Sequence, residues 1–509
     1  MPALPALLTL PIVVHVFNRY NDGFRHAGIG FDEPSFVWGG WSILKGLTPY
    51  LEFLEFKPPL IFITHALALW LHGFDGFAFR EFFSYFPLGA ILAVHCALLS
   101  WRVHPLAVLA WSLAVIELFV APGFHDTALS DTESIGLSYY LYGAACLLWK
   151  SKRRALLTGV GTALLVCCVL SKEPFLPCVG LTWVMGFLLH LKDPELKLAP
   201  VKYVKVSAIG AAVIVVALCL YMIPTGALVA YVKVLRGYFK IYRDPQLSYC
   251  VVLGRFHPTT PLNDLWVQFQ QARREFFNLH ILGYLIPLVG LATVGLWRRS
   301  KLLLGLALVG FVAALNAVTA SNCQWPHYYN MSMSGLFFFI AIGLVAAADE
   351  LASISAPMRL AFCFALLAGV GLRMWPRYEA EVASYGRRPM PNPYAEQVPG
   401  SLEVIAQVTK PTDTIFTTGV PILYIQANRL NAVRESQWTD EILGVYEGDT
   451  DVERLSGVRA QLEKNRPKVM VMDPAYGPRK QRHFNALFGP YLAEHGYQQV
   501  RPYIFVRPD

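Results

Sequence analysis

Two neighbouring carboxylates, Asp32 and Glu33, stand just ahead of Pro34 and an amphipathic stretch that runs to Lys45. Tyr50 and then Lys57-Pro58-Pro59 follow. A carboxylate at a membrane surface can act as general base toward a hydroxyl. A lysine at the start of a helix, beside free backbone N–H groups, suits a phosphate. Each has a plainer reading. Asp32 before Pro34, with Val37, Trp41 and Leu44 forming a stripe, makes a good helix N-cap. Lys57 fits a lysine reaching from apolar surface to lipid headgroups. From the residues alone both readings stand.

A second group runs from His125-Asp126-Thr127 to Asp131-Thr132-Glu133. Asp131 and Glu133 have the spacing of a D-x-E pair, whose oxygens can help hold a divalent cation; Asp131 can equally cap the helix that follows. Glu117 lies in the preceding apolar run. An intramembrane carboxylate is costly and marks a functional candidate, unless it is kept neutral between helices. Lys172-Glu173 and Trp325-Pro326-His327-Tyr328-Tyr329 stand at the ends of apolar runs. Trp and Tyr there usually form the aromatic belt, whereas His327 can donate to a phosphate oxygen. Arg243, Arg255, His257, Arg273 and Arg274 offer clamps for a monophosphate or diphosphate, or plain surface charge.

The elements that must position these residues are membrane spans. The chain has 509 residues, 55% of them hydrophobic, and a mean hydropathy of +0.42. Its apolar runs, about 15–20 residues each, suit bilayer spans. The net charge of +8 gathers in short connections: Lys150 to Arg154, Lys192 to Lys205, and Arg298 to Lys301. That is an orientation signal, with these connections cytoplasmic, and not a nucleic-acid patch. Residues 3–17 lack a basic n-region and a cleavage site, and read as a retained first span. With the basic connections inside, residues 58–72 cannot cross by parity, and are expected to lie at the outer surface. The result is about eleven spans plus juxtamembrane helices, with the N-terminus inside and the C-terminus outside. The expected outer segments are the Asp32 loop, 122–133, the Ser171–Pro174 turn, a long loop 224–279, 320–327 and the tail.

The chain therefore reads as mainly α, with a multi-pass domain over 1–375 and a small extracytoplasmic soluble α/β domain over 376–509. Short strands are expected at Thr414–Thr418, Lys468–Met472 and Tyr503–Val506, with helices near 453–464 and 482–494. The tail has no GxGxxG turn, hence no dinucleotide site is expected. The nine cysteines lie mostly in apolar runs and have no CxxC metal spacing, so no disulfide framework is expected; a Cys250–Cys323 bridge stays open.

Taken in order, Asp32-Glu33, Tyr50, Lys57-Pro58-Pro59, Leu129-Ser130-Asp131-Thr132-Glu133 and Pro326-His327-Tyr328-Tyr329 resemble the polyprenyl-phosphate-sugar-dependent GT-C glycosyltransferases. The bacterial relatives of protein O-mannosyltransferases and aminoarabinose transferases are the branch they look most like. The resemblance spans about 1–375 in architecture, and the tail is similar to the soluble domain many members carry. It implies an inverting transfer of a sugar from a polyprenyl monophosphate or diphosphate to an acceptor hydroxyl on a glycan, lipid or protein. The site would lie at the outer face of the cytoplasmic (inner) membrane. Asp32 would be the base and Glu33 would orient the site or contact the acceptor. Lys57, His327, Tyr328 and Arg255 would meet the donor phosphate. Asp126, Asp131 and Glu133 would form the second acidic motif, with Glu117, Lys172 and Glu173 in support. The Asp-Thr-Glu here departs from the Thr-Asp-Pro of aminoarabinose-type members. No cofactor is assigned; a divalent cation stays open, with Asp131 and Glu133 as candidate ligands.

The main rival from another class is a transporter using Glu117 and the outer-face carboxylates. Transporters, however, break their helices near the midplane, whereas the ionisable residues here gather toward one face. A scaffold presenting the tail to a partner is a third reading. A phosphoethanolamine-type transferase would need a threonine nucleophile among metal ligands in the tail, and none stands out.

Overall fold

Apolar runs become helices because a chain in lipid must satisfy its own backbone N–H and C=O groups. The computed structural model describes residues 3–26, 32–75, 78–120, 131–192, 198–243, 281–309, 329–387, 398–435, 451–473 and 484–508. In chain order the helices are α1 (Ala3–His26), α2 (Glu33–Leu44), α3 (Pro59–His72), α4 (Phe79–Ser100), α5 (Pro105–Val120), α6 (Thr132–Leu148), α7 (Arg154–Ser171), α8 (Leu176–Lys192), α9 (Pro200–Met222), α10 (Ala227–Arg243), α11 (Ile281–Arg299), α12 (Tyr329–Ser353) and α13 (Ala356–Arg387). Among the described residues, six stretches are long and apolar enough to cross a membrane: 79–100, 154–171, 173–191, 200–222, 334–353 and 356–376. The chain is built as a multi-pass membrane protein.

Two compact units divide it. The first joins 1–27, 75–218 and 257–389 and is a helical bundle. Its close approaches use small residues, as helix pairs in lipid do. A Cβ on Gly143 of α6 would lie 2.9 Å from the Gly161 carbonyl oxygen of α7. Large apolar side chains point outward, Phe364 and Leu372 on α13 among them, which suits lipid as solvent. One end of the bundle gathers basic connections. Trp101 Nε1 donates to the Leu148 carbonyl at 2.6 Å, Lys150 lies 4.2 Å over the Trp101 ring, and His104 is within electrostatic reach of Arg359. The ends of α4 and α6 that carry Arg102 and Lys150 therefore meet. At the connection after α11, Arg298 and Arg299 pair with Glu350 and Asp349.

The second unit joins 28–74, 219–256 and 390–509. Its strands β1 (Ile415–Thr417), β2 (Val469–Val471), β3 (Gln498–Arg501) and β4 (Ile504–Val506) form a sheet in the order β1-β2-β4-β3. The β1–β2 pair is parallel and the others antiparallel. The helices Ser401–Val408, Ile422–Ala427 and Asp451–Asn465 complete this segment, with a shorter one at Gly489–Glu494. Phe416, Leu455, Leu462, Met470 and Tyr491 are in its core.

Three features go beyond what the sequence suggested. Helix α13 continues past 375 to Arg387, and the unit containing the tail also includes 28–74 and 219–256. The expected loop 224–279 opens with the seventeen-residue helix α10. Ala227, Tyr231 and Val234 recur at helical spacing, with Ala227 and Val234 buried and Tyr231 4.8 Å from the Tyr50 ring.

Candidate active site

Asp32 occupies the N-cap position of α2, and its backbone carbonyl accepts from the N–H groups of Ser35 and Phe36 at 3.0 and 3.3 Å. Its carboxylate makes no capping hydrogen bond. Oδ2 lies instead 3.8 Å from Lys57 Nζ, with the Asp32 side chain 42% exposed and that of Lys57 11%. The ammonium also lies 4.7 Å over the Phe56 ring and 6.0 Å over the Phe36 ring. Lys57 stands immediately ahead of Pro58 and Pro59, which start α3. Tyr50, buried and in the left-handed region (φ 67°), donates through its hydroxyl to the Lys57 carbonyl at 2.7 Å.

The platform beneath this pair is aromatic and tightly packed. Trp38 meets Phe53 edge-on, Phe53 meets Phe62 edge-on, and Trp38 also contacts Tyr424. A Cβ on Gly40 would lie 2.6 Å from the Ala66 nitrogen, so only glycine lets α2 approach α3 this closely. The C-terminal segment supports the loop through backbone. Leu54 N–H donates to the Arg434 carbonyl at 2.5 Å, and Leu54 bridges to Glu435 as Asn431 does to Ile415 of β1. Glu435 is buried, 3.3 Å from Arg434 Nε and within reach of Gln461. Burial pushes the Tyr424 phenol well up, and that hydroxyl accepts from Thr417 N–H.

The first unit holds a second acid–base pair. Glu133 Oε1 lies 2.8 Å from Lys172 Nζ, with the lysine side chain 7% and the glutamate 4% exposed. The Thr132 hydroxyl donates to Glu133 Oε2 at 2.6 Å. Asp131 is at the N-cap position of α6 and buried, and like Asp32 makes no capping hydrogen bond with its side chain. Lys172 sits between α7 and the turn Glu173–Phe175. Phe175 is fully buried and packs where a Cβ on Gly136 would come within 2.6 Å of its ring. Gly136 is one helical turn after Glu133, so the same face of α6 receives Phe175 and Lys172.

No family model and no curated protein matches the chain. Solved structures do. ArnT from Cupriavidus metallidurans bound to undecaprenyl phosphate matches at 14% identity with a TM-score of 0.54, over 94% of each chain. Its apo state matches at 13% identity with a TM-score of 0.56, again over 94% of each. The chain shares its fold with ArnT. A fold of this kind is the one expected from the ordered motifs. Archaeal AglB from Archaeoglobus fulgidus, in complex with an inhibitory peptide and a dolichol-phosphate, gives a TM-score of 0.46 at 13% identity, over 92% of this chain and 69% of that one.

Within the ArnT-like fold, the expected site residues separate clearly. Asp32 and Lys57 come together, and so do Glu133 and Lys172. Glu33 is fully buried. Glu117 is buried in α5, while Glu173 turns outward where Lys172 turns inward. Asp126, Arg255, His327 and Tyr328 lie outside the described residues, as do Cys250 and Cys323. Sequence reasoning passed over Glu55 and Glu435, both buried carboxylates of the second unit. Glu55 had a signal, since it stands two residues before Lys57 in an extended segment. For Glu435 there was none beyond its neighbour Arg434: Gln461 and Leu54 are brought to it by folding.

Proposed function

We propose that this protein is a lipid-linked-sugar-dependent glycosyltransferase of the outer face of the cytoplasmic membrane, inverting, with Asp32 as base. The N-terminus lies inside, and the C-terminal segment 376–509 lies outside. The observation that carries the reading is the Asp32–Lys57 pair, a half-exposed carboxylate beside an ammonium held by aromatic rings. The acceptor hydroxyl gives its proton to Asp32 as its oxygen attacks the anomeric carbon, and the polyprenyl phosphate leaves with the bonding electrons. In an inverting displacement base and leaving group lie on opposite sides of that carbon. Lys57 must therefore swing from Asp32 toward the phosphate, which its four-carbon stem allows. The phosphate's charge then meets the Lys57 ammonium. Glu33, fully buried, orients the loop. His327, Tyr328 and Arg255 complete the donor contacts in this reading. The acceptor is a glycan, lipid or protein hydroxyl, and the donor carrier a polyprenyl monophosphate or diphosphate. The fold likeness to ArnT supports the same reading and does not favour a transporter.

The test is Asp32→Asn in membranes supplied with polyprenyl-linked sugar. Loss of a general base removes roughly 10²–10⁴-fold of rate, with the fold intact because the α2 start relies on the Asp32 backbone and not its carboxylate. A folded Asp32→Asn protein that keeps most of its transfer rate would refute the assignment. Lys57→Ala is expected to lower transfer by about 10²-fold, chiefly by weakening use of the donor.

A further inference from the structure

By spacing alone, Asp131-Thr132-Glu133 suits a divalent cation, since such ions take oxygen ligands at about 2.0–2.6 Å. In the fold Glu133 already has a cation. Lys172 Nζ is 2.8 Å from Oε1, and the Thr132 hydroxyl occupies Oε2 at 2.6 Å, so both oxygens of this carboxylate are engaged. Nor is the lysine a surface side chain folded back from water. Its backbone N–H donates to the Cys168 carbonyl at 3.1 Å, and its carbonyl accepts from Phe175 N–H at 3.2 Å. Phe175 in turn is wedged against Gly136, on the face of α6 that carries Glu133. The helix end, the turn and the aromatic anchor together aim Nζ at Glu133.

We propose that Lys172 takes the cation's place at the Asp131-Thr132-Glu133 motif, so that Glu133 binds no divalent ion and the fixed positive charge there belongs to the chain itself. A metal on Glu133 would sit beside an ammonium in a low-dielectric interior, where like charges repel strongly. With its side chain enclosed, Lys172 cannot retreat into water to make room. Glu133, with Lys172 at one oxygen and the Thr132 hydroxyl at the other, therefore does not fit the donor set of a resident metal, and no step of the transfer runs through a metal on this residue. The inference rests on the transferase reading for the motif's role. Metal binding, however, is read without any sugar transfer, so either can fail while the other stands.

The experiment is a Mn²⁺ titration of the full-length protein in lipid nanodiscs, followed by electron paramagnetic resonance and by elemental analysis after desalting. Three proteins are compared: wild type, Lys172→Met, and Lys172→Met/Glu133→Gln, which keeps the volume, removes both charges of the pair and leaves Asp131 in place. The wild type is expected to bind no Mn²⁺ beyond what the double variant binds. Lys172→Met, with its internal cation gone, is expected to gain affinity for Mn²⁺ by about tenfold or more, and the double variant to lose that gain. One equivalent of Mn²⁺ in the wild type that is missing from the double variant would overturn the proposal. A folded Lys172→Met protein that binds Mn²⁺ no better than wild type would do so as well. Should Lys172→Met fail to fold, the comparison of wild type with the double variant decides alone.

Discussion

The two helix starts at α2 and α6 make a natural pair. Each has an aspartate at the N-cap position, a glutamate in the first turn, and a lysine brought to it from elsewhere in the chain. Neither aspartate caps with its carboxylate. They differ in burial. At α6 the lysine engages the glutamate at 2.8 Å, and both side chains are almost fully enclosed. At α2 the lysine faces the aspartate at 3.8 Å, and the carboxylate is nearly half open. A closed pair with both oxygens occupied is suited to fixing structure and charge. An open, longer pair is suited to exchange, because a phosphate or hydroxyl can replace one partner at little cost. On the proposed reading the same residue types thus serve opposite purposes, and solvent access sets which.

The comparison can be broken by stability measurements in detergent or nanodiscs. The largest expected effect is at the closed pair. Lys172→Met leaves a buried glutamate without its cation and should destabilise by about 3–5 kcal/mol. Adding Glu133→Leu should restore most of that, since a buried ion pair replaced by apolar groups is often neutral or stabilising. A single Lys172→Met variant as stable as wild type would mean the pair is not closed. Next, Gly136→Ala should cost about 1–3 kcal/mol by driving a methyl into the Phe175 ring. Loss of stability there without a change in donor use would place it in structure alone. Smallest is the open pair: Lys57→Met should cost only about 0–1 kcal/mol from the ion pair, while sugar transfer falls far more. A thermal shift at Lys57→Met as large as that at Lys172→Met would erase the distinction.

How much of this was legible in the sequence depends on the range of the interaction. The apolar runs 104–121, 134–149, 155–170 and 175–191 appear as α5 to α8 within a few residues, because a span must satisfy its own backbone wherever it packs. The strands at β1, β2 and β4 were likewise readable from short β-branched and aromatic runs. Strand β3 was not, since Gln498, Gln499 and Arg501 are exposed and have no apolar alternation to betray them. Helix α10 was hidden by its lysines and arginines, which broke the apolar run although the stripe beneath kept helical spacing. At the candidate site Asp32, Lys57, Glu133 and Lys172 could each be singled out by type and position. Their pairing could not.

The sequence by itself determined that this chain is built of many apolar helices, where most of those begin, and which few charged side chains stand at their ends. Those properties follow from local hydropathy, turn chemistry and charge, all of which act within a few residues. Only the tertiary structure decided that Lys172 meets Glu133, 39 residues before it in the chain. The same holds for the open Asp32–Lys57 pair and for Arg434 and Glu435 docking on Leu54. The reason is physical: whether a charge is closed in or open to water depends on what packs over it, and packing partners come from anywhere in the chain.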